Sequence, residues 1–484
     1  MWNLKRYKKI CKYSEKVQYK NQNILTVCNS YLHIIRAHPF FLTKYENIFN
    51  NKSFIFYIFI FIKNIFELLI KFFIQFFYFE GFIPKKKNYK ILALAHMINF
   101  NSFVKNIDYQ YGNFFKKKTK GIYYFYLNGS KNKYDKFRFK KNYKKNNNYY
   151  LSNSKVSTYN FFKYLLIIFK EFFILFGQFL NKNNTNNEER IFLLNTALNV
   201  VSQSTMQNLI FYNKFKYFLE VNSVKKIITT FEGHPFEKLI FKIGSEMSIP
   251  VDAYQHSLIS ASQHSMFFYP NKDFRPKRIL ACGKNTFTIL KKFFYPEIDV
   301  KLIGSTKYKK YSLKSKSYNS LRCLVVPEGF YKETIQMVSF CLNYIKKFDN
   351  INFVIRLHPE INKEKLFKIN PQLKLHNSNL EISDRKDIID DAKNCNLLLY
   401  RGTTFAADAL GLNLKPFYLK NIDEIEIDSL WMFKNKFKEK IKNIEELNKS
   451  ALKIKKKKNN KNEIKKATLF SKSFYGKFDY KIKI

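Results

Sequence analysis

The stretch that decides the fold is residues 395–411, CNLLLYRGTTFAADALG. The apolar run over 395–400 predicts a buried strand, the glycine after it predicts a turn, and residues 404–411 predict a helix. A strand that passes through a short loop into a helix is the unit of parallel sheets whose two faces are both covered. The stretch therefore predicts an α/β fold.

The same alternation extends outward from residue 88 to residue 419 and divides into two groups. The first group of predicted strands is 90–98, 122–127, 191–195, 224–230, 250–256, 278–283 and 300–304. The second group of predicted strands is 321–329, 352–360, 395–400 and 415–419. Helices are predicted between them at 196–221, 235–247, 331–348, 386–394 and 404–411. We expect two Rossmann-like, doubly wound domains facing a cleft, where open α/β sheets bind ligands.

These groups predict four segments in a chain that is too long for one compact core. Residues 1–87 form an N-terminal extension with an amphipathic apolar helix. Residues 88–304 form the first Rossmann-like domain, which carries a basic insertion at 116–158. Residues 305–445 form the second Rossmann-like domain, and residues 446–484 form a basic tail.

The charge balance favours an anionic partner. Lys and Arg number 86 against 37 Asp and Glu, which gives a formal net charge of +49. Nucleic acid, anionic lipid and phosphorylated substrates are the partners that such an excess attracts. The chain is also rich in Asn, Ile, Phe and Tyr, whose codons, like those of Lys, are A/T-rich. An A/T-rich base composition is therefore an alternative source of the excess, and charge alone predicts no binding of nucleic acid.

The cysteines predict neither disulfides nor a metal centre. None of the six belongs to a C-x-x-C pair or stands beside His at the spacing of a metal site. We therefore expect a reducing, cytosolic setting and no bound metal. The N-terminal residues MWNLKRYKKICKYSEK also lack the apolar stretch of a secretory signal.

Two strongly apolar segments, 53–83 and 160–180, predict long helices. In the first, a polar residue recurs at every fourth position from Lys63 to Gln75, which draws one polar stripe along the helix. Uncharged runs in both are shorter than the roughly 20 residues that span a bilayer. Three interpretations stay open: helices buried in the core, helices lying in a membrane interface, or membrane-spanning helices.

The sequence RLHPE, which begins at Arg356, follows an apolar strand and is a candidate phosphate site. The guanidinium of Arg356 can grip two phosphate oxygens, and His358 can donate a proton to a leaving group. Pro359 ends the strand and fixes the turn. A histidine in a polar loop without function is the alternative. The His-Pro pair at His38 has no comparable strand–loop setting and predicts no role.

The turn at Gly402 is a second candidate site in the same domain. It joins a strand to a helix whose first residues are the hydroxylic Thr403 and Thr404. Either threonine can simply cap the helix, but the same amides and hydroxyls can cradle a phosphate. Asp408, in the first turns of the helix, can reach a ribose hydroxyl. Combined with the RLHPE loop, these residues predict a nucleotide site.

Three residues of the first domain are candidate general bases. Glu232 and His234 belong to the sequence FEGHP, which follows a strand and opens a helix, and Gly233 between them permits close backbone approach. A glutamate near a helix N-terminus is also favoured by electrostatics alone. His256 ends the next predicted strand. The residues themselves leave all three open as the base.

Several nucleotide and metal signatures are missing from the sequence. It contains no G-x-x-x-x-G-K-[ST] loop, no G-x-G-x-x-G fingerprint and no Asp-x-Asp after a strand. The chain has 13 glycines in 484 residues, which leaves little room for glycine-rich loops. We therefore expect a reaction that needs no metal.

These motifs resemble those of bacterial surface and capsular polysaccharide transferases with the glycosyltransferase-B architecture. The resemblance covers about residues 220–420. The residues that carry it are His358-Pro359, Thr403-Thr404 and Glu232-Gly233. Thr-Thr replaces the usual Ser-Ser, and Phe231 stands where sialyltransferases often have a second acid.

The sequence is also similar to CDP-glycerol glycerophosphotransferases of the teichoic-acid type. These share the R-x-H-P loop and a hydroxyl pair with an Asp five residues further on, here Thr403 and Asp408. Their catalytic His matches His256 best, although Ser257 stands where they have Gly. A CDP-alditol polyol-phosphate transferase is therefore an alternative function, and a non-enzymatic basic membrane-associated protein is another.

The first resemblance implies a metal-independent glycosyltransferase. It would move a sugar from a nucleotide-sugar donor, CMP-linked donors included, to a surface polysaccharide or lipid-linked glycan, with the acceptor in the first domain. The residues implied in nucleotide and phosphate binding are Arg356, His358, Pro359, Gly402, Thr403, Thr404 and Asp408. One of Glu232, His234 and His256 would be the base.

The same resemblance sets expectations for partners and location. We expect no cofactor besides the nucleotide-sugar, which is a substrate, and no nucleic-acid partner. The apolar helices and basic stretches predict contact with an anionic membrane surface. The expected location is cytoplasmic, peripheral on the inner face of the cell membrane.

Overall fold

The computed structural model describes residues 2–50, 52–75, 88–96, 110–112, 120–125, 149–151, 156–181, 186–306, 320–374, 378–422, 424–456 and 461–478. Most of the basic insertion at 116–158, the end of the apolar segment at 53–83 and residues 307–319 between the domains lie outside these ranges. Within them the chain forms two α/β domains, as the strand–helix alternation predicts.

The first domain contains a seven-stranded parallel sheet in the order β4-β3-β2-β6-β7-β8-β9. Its strands are β2 (Ile91–His96), β3 (Lys120–Phe125), β4 (Tyr149–Leu151), β6 (Ile227–Thr230), β7 (Val251–Gln255), β8 (Arg278–Ala281) and β9 (Asp299–Leu302). Two further short strands, β1 (Asn88–Tyr89) and β5 (Ser223–Val224), pair with each other.

The second domain contains a six-stranded parallel sheet in the order β12-β11-β10-β13-β14-β15. Its strands are β10 (Leu321–Val326), β11 (Ile351–Ile355), β12 (Leu380–Ile382), β13 (Leu397–Tyr400), β14 (Lys415–Leu419) and β15 (Glu439–Ile441). Alternate residues of β10 and β13 belong to different apolar clusters: Val325 and Leu399 lie in one, Leu324 and Leu398 in the other. Both faces of this sheet are therefore covered by helices.

The helices complete both domains. Those before and within the first domain are α1 (Leu4–Lys20), α2 (Ile24–Cys28), α3 (Pro39–Leu42), α4 (Phe54–Gln75), α5 (Thr158–Leu180), α6 (Asn187–Val200), α7 (Gln203–Val221), α8 (Pro235–Glu246), α9 (His264–Phe267) and α10 (Lys284–Phe294). Those of the second are α11 (Tyr331–Ile345), α12 (Lys363–Ile369), α13 (Ile388–Lys393), α14 (Phe405–Gly411), α15 (Ile444–Lys456) and α16 (Lys461–Phe474).

Each sheet reverses its winding direction at one point. In the first sheet the reversal lies between β2 and β6, and in the second it lies between β10 and β13. In doubly wound sheets, ligands bind beyond the carboxyl ends of the strands at this switch point, where the two flanking loops diverge and leave a crevice. The loops that follow β6, β10 and β13 are therefore the expected ligand contacts.

The N-terminal and C-terminal segments that the structure describes both pack against the domains. The extension at 1–87 contributes α1 residues such as Tyr7 and Ile10 to the same apolar core as the first sheet. The segment predicted as a basic tail, 446–484, contains all but the first two residues of α15 and the whole of α16, and Ala467 of α16 is buried in the second domain. Beyond α16, the Gly476 amide donates to the carbonyl of Cys282 at 2.8 Å, which returns the chain to the first domain.

One predicted strand is wrong, and besides the two-residue β1, three described strands were not predicted. Residues 191–195 lie in the middle of helix α6. Because the side chains of this helix are buried on nearly every side, its apolar residues do not recur with the period that identifies a helix in a sequence. Asn186 caps this helix by accepting from the Glu189 amide at 2.8 Å. The unpredicted strands β4, β12 and β15 have three residues each and lie at sheet edges, which leaves little sequence signal.

Helices α4 and α5 pack side by side in antiparallel directions. The Phe61 and Phe172 ring centroids lie 4.9 Å apart, and those of Phe72 and Phe161 lie 4.3 Å apart. The inner sides rest on the first domain, where the Asn64 amide donates to a backbone carbonyl of α6. No helix within the described ranges is long and apolar enough to cross a bilayer.

The outer sides of α4 and α5 are apolar and exposed, and we call them together the apolar helical face. Its members are Phe54, Ile55, Ile58, Phe59, Ile62, Phe66, Leu69, Ile70 and Phe73 of α4, and Tyr159, Phe162, Leu166, Ile167, Phe173, Ile174 and Leu180 of α5. For these side chains the interpretation as buried core is wrong. Of the predicted polar stripe from Lys63 to Gln75, Lys63 is exposed, Glu67 is partly exposed and Lys71 is buried. The side chain of Gln75 lies outside the described part of the chain.

Candidate functional site

A cavity of about 320 Å³ lies between the two domains, at the switch points of both sheets. The polar residues of interest in its wall are Arg36 and His38 before the first sheet, Glu232, His234 and Ser257 of the first domain, and Glu328, Gly402 and Thr404 of the second. Its size lies within the range of small-molecule sites. The predicted cleft therefore exists, and two of the three base candidates line it.

The loop that carries Glu232 is held by a buried glutamate behind it. One carboxylate oxygen of Glu237 accepts hydrogen bonds from the amides of Glu232, Gly233 and His234, at 2.9, 2.7 and 3.0 Å. Gly233 has a φ of +89°, and a Cβ there would lie 2.6 Å from the Met266 amide nitrogen, so only glycine fits this turn. The backbone is thus fixed in the form that points Glu232 into the cavity.

Three side chains surround the Glu232 carboxylate. The Ser257 hydroxyl donates to Oε1 at 2.8 Å, and Nε2 of His234 lies 3.3 Å from Oε2. Nε2 of His256 lies 3.5 Å from Oε1. The side chains of Glu232 and His234 are 30% and 29% exposed, whereas that of His256 is 6% exposed. His256 therefore lies behind Glu232, and a ligand in the cavity meets Glu232 and His234.

The pKa values of this cluster move in opposite directions. Burial alone would raise the pKa of Glu232, but the charges of His256 and His234 and the Ser257 hydroxyl outweigh burial and lower that pKa well below its ordinary value. Burial would lower the pKa of His234, but its bond to Glu232 and the charge of Glu237 outweigh burial and raise it. Glu232 stays ionised at neutral pH, and His234 holds a proton more readily than an ordinary histidine.

The second domain contributes the glycine turn predicted from residues 395–411. Gly402 and Thr404 line the cavity, and a Cβ on Gly402 would lie 2.5 Å from Oε1 of Glu328, so the close approach requires glycine. Thr403 is not part of the described lining, and its hydroxyl accepts from the amide of Phe405, the first residue of α14, at 3.3 Å. Thr404 is the N-cap residue of α14 and makes no side-chain cap bond. Asp408 lies further along α14 and outside the described lining of the cavity.

The RLHPE loop is also absent from the described lining of the cavity, because β11 lies one strand away from the switch point. The Arg356 guanidinium donates to the carbonyls of Arg385 and Lys386 and lies 3.3 Å from Oδ2 of Asp391, which is fully buried. Three of its five N–H donors are thus already used within its own domain. Local sequence patterns could not predict these partners, because they lie about 30 residues further along the chain, after β12.

His358 and Pro359 are exposed at the rim of the site. The His358 ring packs against Gly329, with Nδ1 2.8 Å from the position of a Cβ there, and Gly329 follows the cavity residue Glu328. The partial burial of the ring against Gly329 lowers the pKa of His358 from its ordinary value. Binding of a donor phosphate by His358 therefore stays a prediction.

The expectation that His38 has no role is wrong, because His38 joins the N-terminal extension to the second domain. Its Nε2 lies 2.8 Å from Oε2 of Glu328 and 3.3 Å from Oε2 of Glu333, and all three residues are buried. Burial lowers the pKa of His38, but the two carboxylates outweigh burial and raise it. The partners lie almost 300 residues apart in the sequence, so no local pattern could reveal them.

The same three side chains are close enough to share a metal ion, with candidate ligand atoms within 4.8 Å of one another. Arg36 lies beside them, with Nη1 3.4 Å from Oε1 of Glu328. The positive charges of Arg36 and protonated His38 balance the two carboxylates. The three candidate metal ligands are therefore already balanced in charge as members of an ion-pair network that links the two domains.

The comparisons with known proteins add distant structural likenesses. The chain is similar to MurG of Acinetobacter baumannii, with 10% identity, a TM-score of 0.44, and coverage of 80% of this chain and 95% of that chain. It is similar to CalG4, the calicheamicin glycosyltransferase, with 8% identity, a TM-score of 0.45, and coverage of 80% and 94%.

It is also similar to the UDP-GlcNAc 2-epimerase of Methanocaldococcus jannaschii, with 13% identity, a TM-score of 0.40, and coverage of 80% and 98%. No family model and no curated protein sequence matches the chain. Likenesses this distant decide no activity, and the two Rossmann-like domains rest on the strand order and pairing described above.

Proposed function

We propose that this protein is an enzyme, a glycosyltransferase that moves a sugar from a nucleotide-sugar donor to a hydroxyl of a glycan or lipid-linked acceptor. One observation carries the proposal. A carboxylate–imidazole pair, Glu232 and His234, faces the glycine turn at Gly402 and the Thr404 hydroxyl across one cavity, at the switch points of two doubly wound sheets. A base on one wall and a phosphate cradle on the other are what glycosyl transfer requires.

The proposed reaction is a single displacement with inversion. An acceptor hydroxyl donates a hydrogen bond to Glu232, and its oxygen attacks the anomeric carbon of the donor. The bond from that carbon to the nucleotide phosphate oxygen breaks, and the phosphate carries away the negative charge. The hydroxyl proton passes to the Glu232–His234 pair, where the raised pKa of His234 favours its retention. No metal and no cofactor is needed in this scheme.

The burial of His256 favours this reaction over polyol-phosphate transfer. The glycerophosphotransferase resemblance assigns the substrate contact to His256, whose side chain is 6% exposed and separated from the cavity by Glu232. We propose that His256 is a positioning residue, which holds the Glu232 carboxylate through its contact with Oε1.

A turnover screen tests the proposed function. The full-length protein is incubated with CMP-, CDP-, UDP-, GDP- and dTDP-sugars, and released nucleotide is measured; we expect release from at least one of them. Glu232→Gln should abolish most of that release while nucleotide binding persists. Glu246→Gln is the matched control, because its carboxylate has similar exposure and pairs with Lys216 outside the cavity. A protein that neither binds nor turns over any of these donors would overturn the proposal.

We also propose that the enzyme is cytoplasmic and works at an anionic membrane, which the apolar helical face contacts. Large contiguous apolar patches on a protein surface mark contact with membranes or other proteins. Two antiparallel helices of 22 and 23 residues present this face, and each is roughly 33 Å long at 1.5 Å per residue. They can lie in the plane of the interface with their apolar sides in the acyl region.

The charge around this face favours anionic lipid over a second copy of the chain. Lys63 is exposed on α4, and Lys163 and Lys170 are exposed on α5. The whole chain carries a formal charge of +49, so two copies repel each other, whereas anionic head groups attract each.

Vesicle sedimentation tests the membrane proposal. The protein should sediment with phosphatidylglycerol-containing vesicles and less with phosphatidylcholine vesicles, and the double variant Ile62→Glu, Phe66→Glu should stay in the supernatant. Leu469→Glu is the matched control, since Leu469 is 56% exposed and Ile62 58% exposed, but it lies on α16. If the wild-type protein sediments with neither type of vesicle, or if light scattering shows dimers that form through this face, the proposal is contradicted.

A further inference from the structure

The segment at residues 34–41, which follows α2 and includes the start of α3, crosses from the first domain to the second along the wall of the cavity. On the first-domain side, the Ala37 amide donates to the Ser262 carbonyl at 2.8 Å, and the Ser265 amide donates to the Ile34 carbonyl at 3.1 Å. These two backbone bonds fix the segment against the loop that follows β7. We call it the crossing segment.

On the second-domain side, the crossing segment packs on the loop that follows β10. The Phe40 and Phe330 rings stack with centroids 4.2 Å apart, and His38 pairs with Glu328 at 2.8 Å. Because both ends are held, the side chain between them, Arg36, has a defined position in the cavity wall.

Arg36 differs from the other arginines near the site in what its guanidinium contacts. Within the described part of the chain it has a single ion pair, to Oε1 of Glu328 at 3.4 Å, and it lies over the Phe41 ring. Arg356 is bonded to Asp391 and two carbonyls, and Arg401, 3% exposed, donates to Gln336 and Glu424. Among the described residues that line the cavity, Arg36 is the one Lys or Arg.

We propose that Arg36 binds the phosphate of the nucleotide-sugar donor, so that the N-terminal extension completes a site whose other walls come from the two Rossmann-like domains. This inference rests on the proposed function. A departing nucleotide phosphate carries negative charge, and a guanidinium with open N–H donors suits it geometrically and electrostatically. Gly402 and Thr404 line the same cavity, and Gly402 approaches the Glu328 carboxylate with which Arg36 pairs.

The network around Glu328 makes an exchange of partners possible. The ion pair between Arg36 and Glu328 is long, at 3.4 Å, and the Arg36 side chain is 35% exposed. When Arg36 turns to a phosphate, His38 remains 2.8 Å from the other Glu328 oxygen, so the buried carboxylate keeps a positive neighbour. The free-energy cost of breaking the ion pair between Arg36 and Glu328 is therefore small compared with the cost of leaving the buried carboxylate without any positive neighbour.

Nucleotide titration tests this role with the full-length protein and the probes UDP, CDP, dTDP, CMP and the corresponding nucleosides. For the nucleotide that wild-type protein binds most tightly, Arg36→Gln should weaken binding by about tenfold or more, the range of a lost charged hydrogen bond. Binding of the parent nucleoside should stay unchanged, and Arg36→Lys should keep part of the affinity. Arg275→Gln is the matched control: its side chain is 34% exposed and pairs with Glu297 outside the cavity.

The outcomes separate this inference from the proposed function. If wild-type protein binds a nucleotide and Arg36→Gln, folded by circular dichroism, binds it as tightly, Arg36 does not hold the phosphate and the inference fails alone. If Arg36→Gln weakens nucleoside and nucleotide equally, the effect is structural and the inference also fails. If wild-type protein binds none of the probes, the donor site itself is overturned, and the role of Arg36 with it.

Discussion

The loops FEGHP, after β6, and RLHPE, after β11, look alike in sequence, because each follows a buried strand and contains a His-Pro pair. Their places in the fold differ. The first lies at the switch point of its sheet and points Glu232 and His234 into the cavity, whereas the second lies one strand away, with Arg356 bonded to its own domain. A motif's setting in the strand order therefore decides whether its side chains can meet a ligand.

The largest expected effect concerns the first loop. Glu232→Gln keeps the shape of the side chain and removes the carboxylate that accepts the acceptor hydroxyl's hydrogen bond and works with His234 as the base, so kcat should fall by about 10²–10⁴-fold with little change in nucleotide affinity. His256→Gln should cost less in kcat, because His256 acts through Glu232, and its effect should appear in kcat without a change in the acceptor KM. Equal rates for wild type and Glu232→Gln would remove the first loop from the chemistry.

The pH profile sharpens the same assignment. The imidazole of His234 must be neutral to take the proton, and its pKa is raised by Glu232 and Glu237 against the effect of burial. Activity should therefore be lost as pH falls through this raised pKa, which lies above the ordinary histidine value of about 6.5. In the His234→Asn variant, the residual activity should no longer fall over this acidic part of the pH profile. An acidic fall that persists in His234→Asn belongs to another group.

Much of this could be predicted from local sequence, and some could not. The apolar runs and the turns at Gly233 and Gly402 predicted the sheets and two walls of the cavity, since each depends on neighbouring residues. Strand order, the buried Asp391 beside Arg356 and the contact of His38 with Glu328 depend on residues far apart in the chain. Glu237 had a usable signal, as a glutamate three residues after the helix cap.

A smaller effect is expected from Arg356, and it concerns stability. Arg356→Gln leaves buried Asp391 with fewer donors, which should lower the free energy of unfolding by about 1–3 kcal/mol, measured by chemical denaturation. Arg322→Gln breaks a surface pair with Glu381 and should cost about 1 kcal/mol or less. If Arg356→Gln leaves stability intact and abolishes nucleotide binding, the second loop is a ligand site after all.

The smallest expected effect is that of His358 at the rim. If its imidazole donates one hydrogen bond to the donor phosphate, His358→Ala should weaken nucleotide binding by about two- to tenfold, with kcat at saturating donor unchanged. Titration of the same nucleotide against wild type and variant measures this. A loss of kcat as large as that of Glu232→Gln would erase the difference between the two loops.

The most direct test of the central claim, that the reaction occurs in the cavity between the two switch points, is a crystal structure with bound nucleotide. We expect the phosphate between Arg36 and the Gly402–Thr404 turn, with Glu232 and His234 facing the position of the sugar. A phosphate bound instead beside Arg356 on the far side of the RLHPE loop, with the cavity empty, would contradict the account.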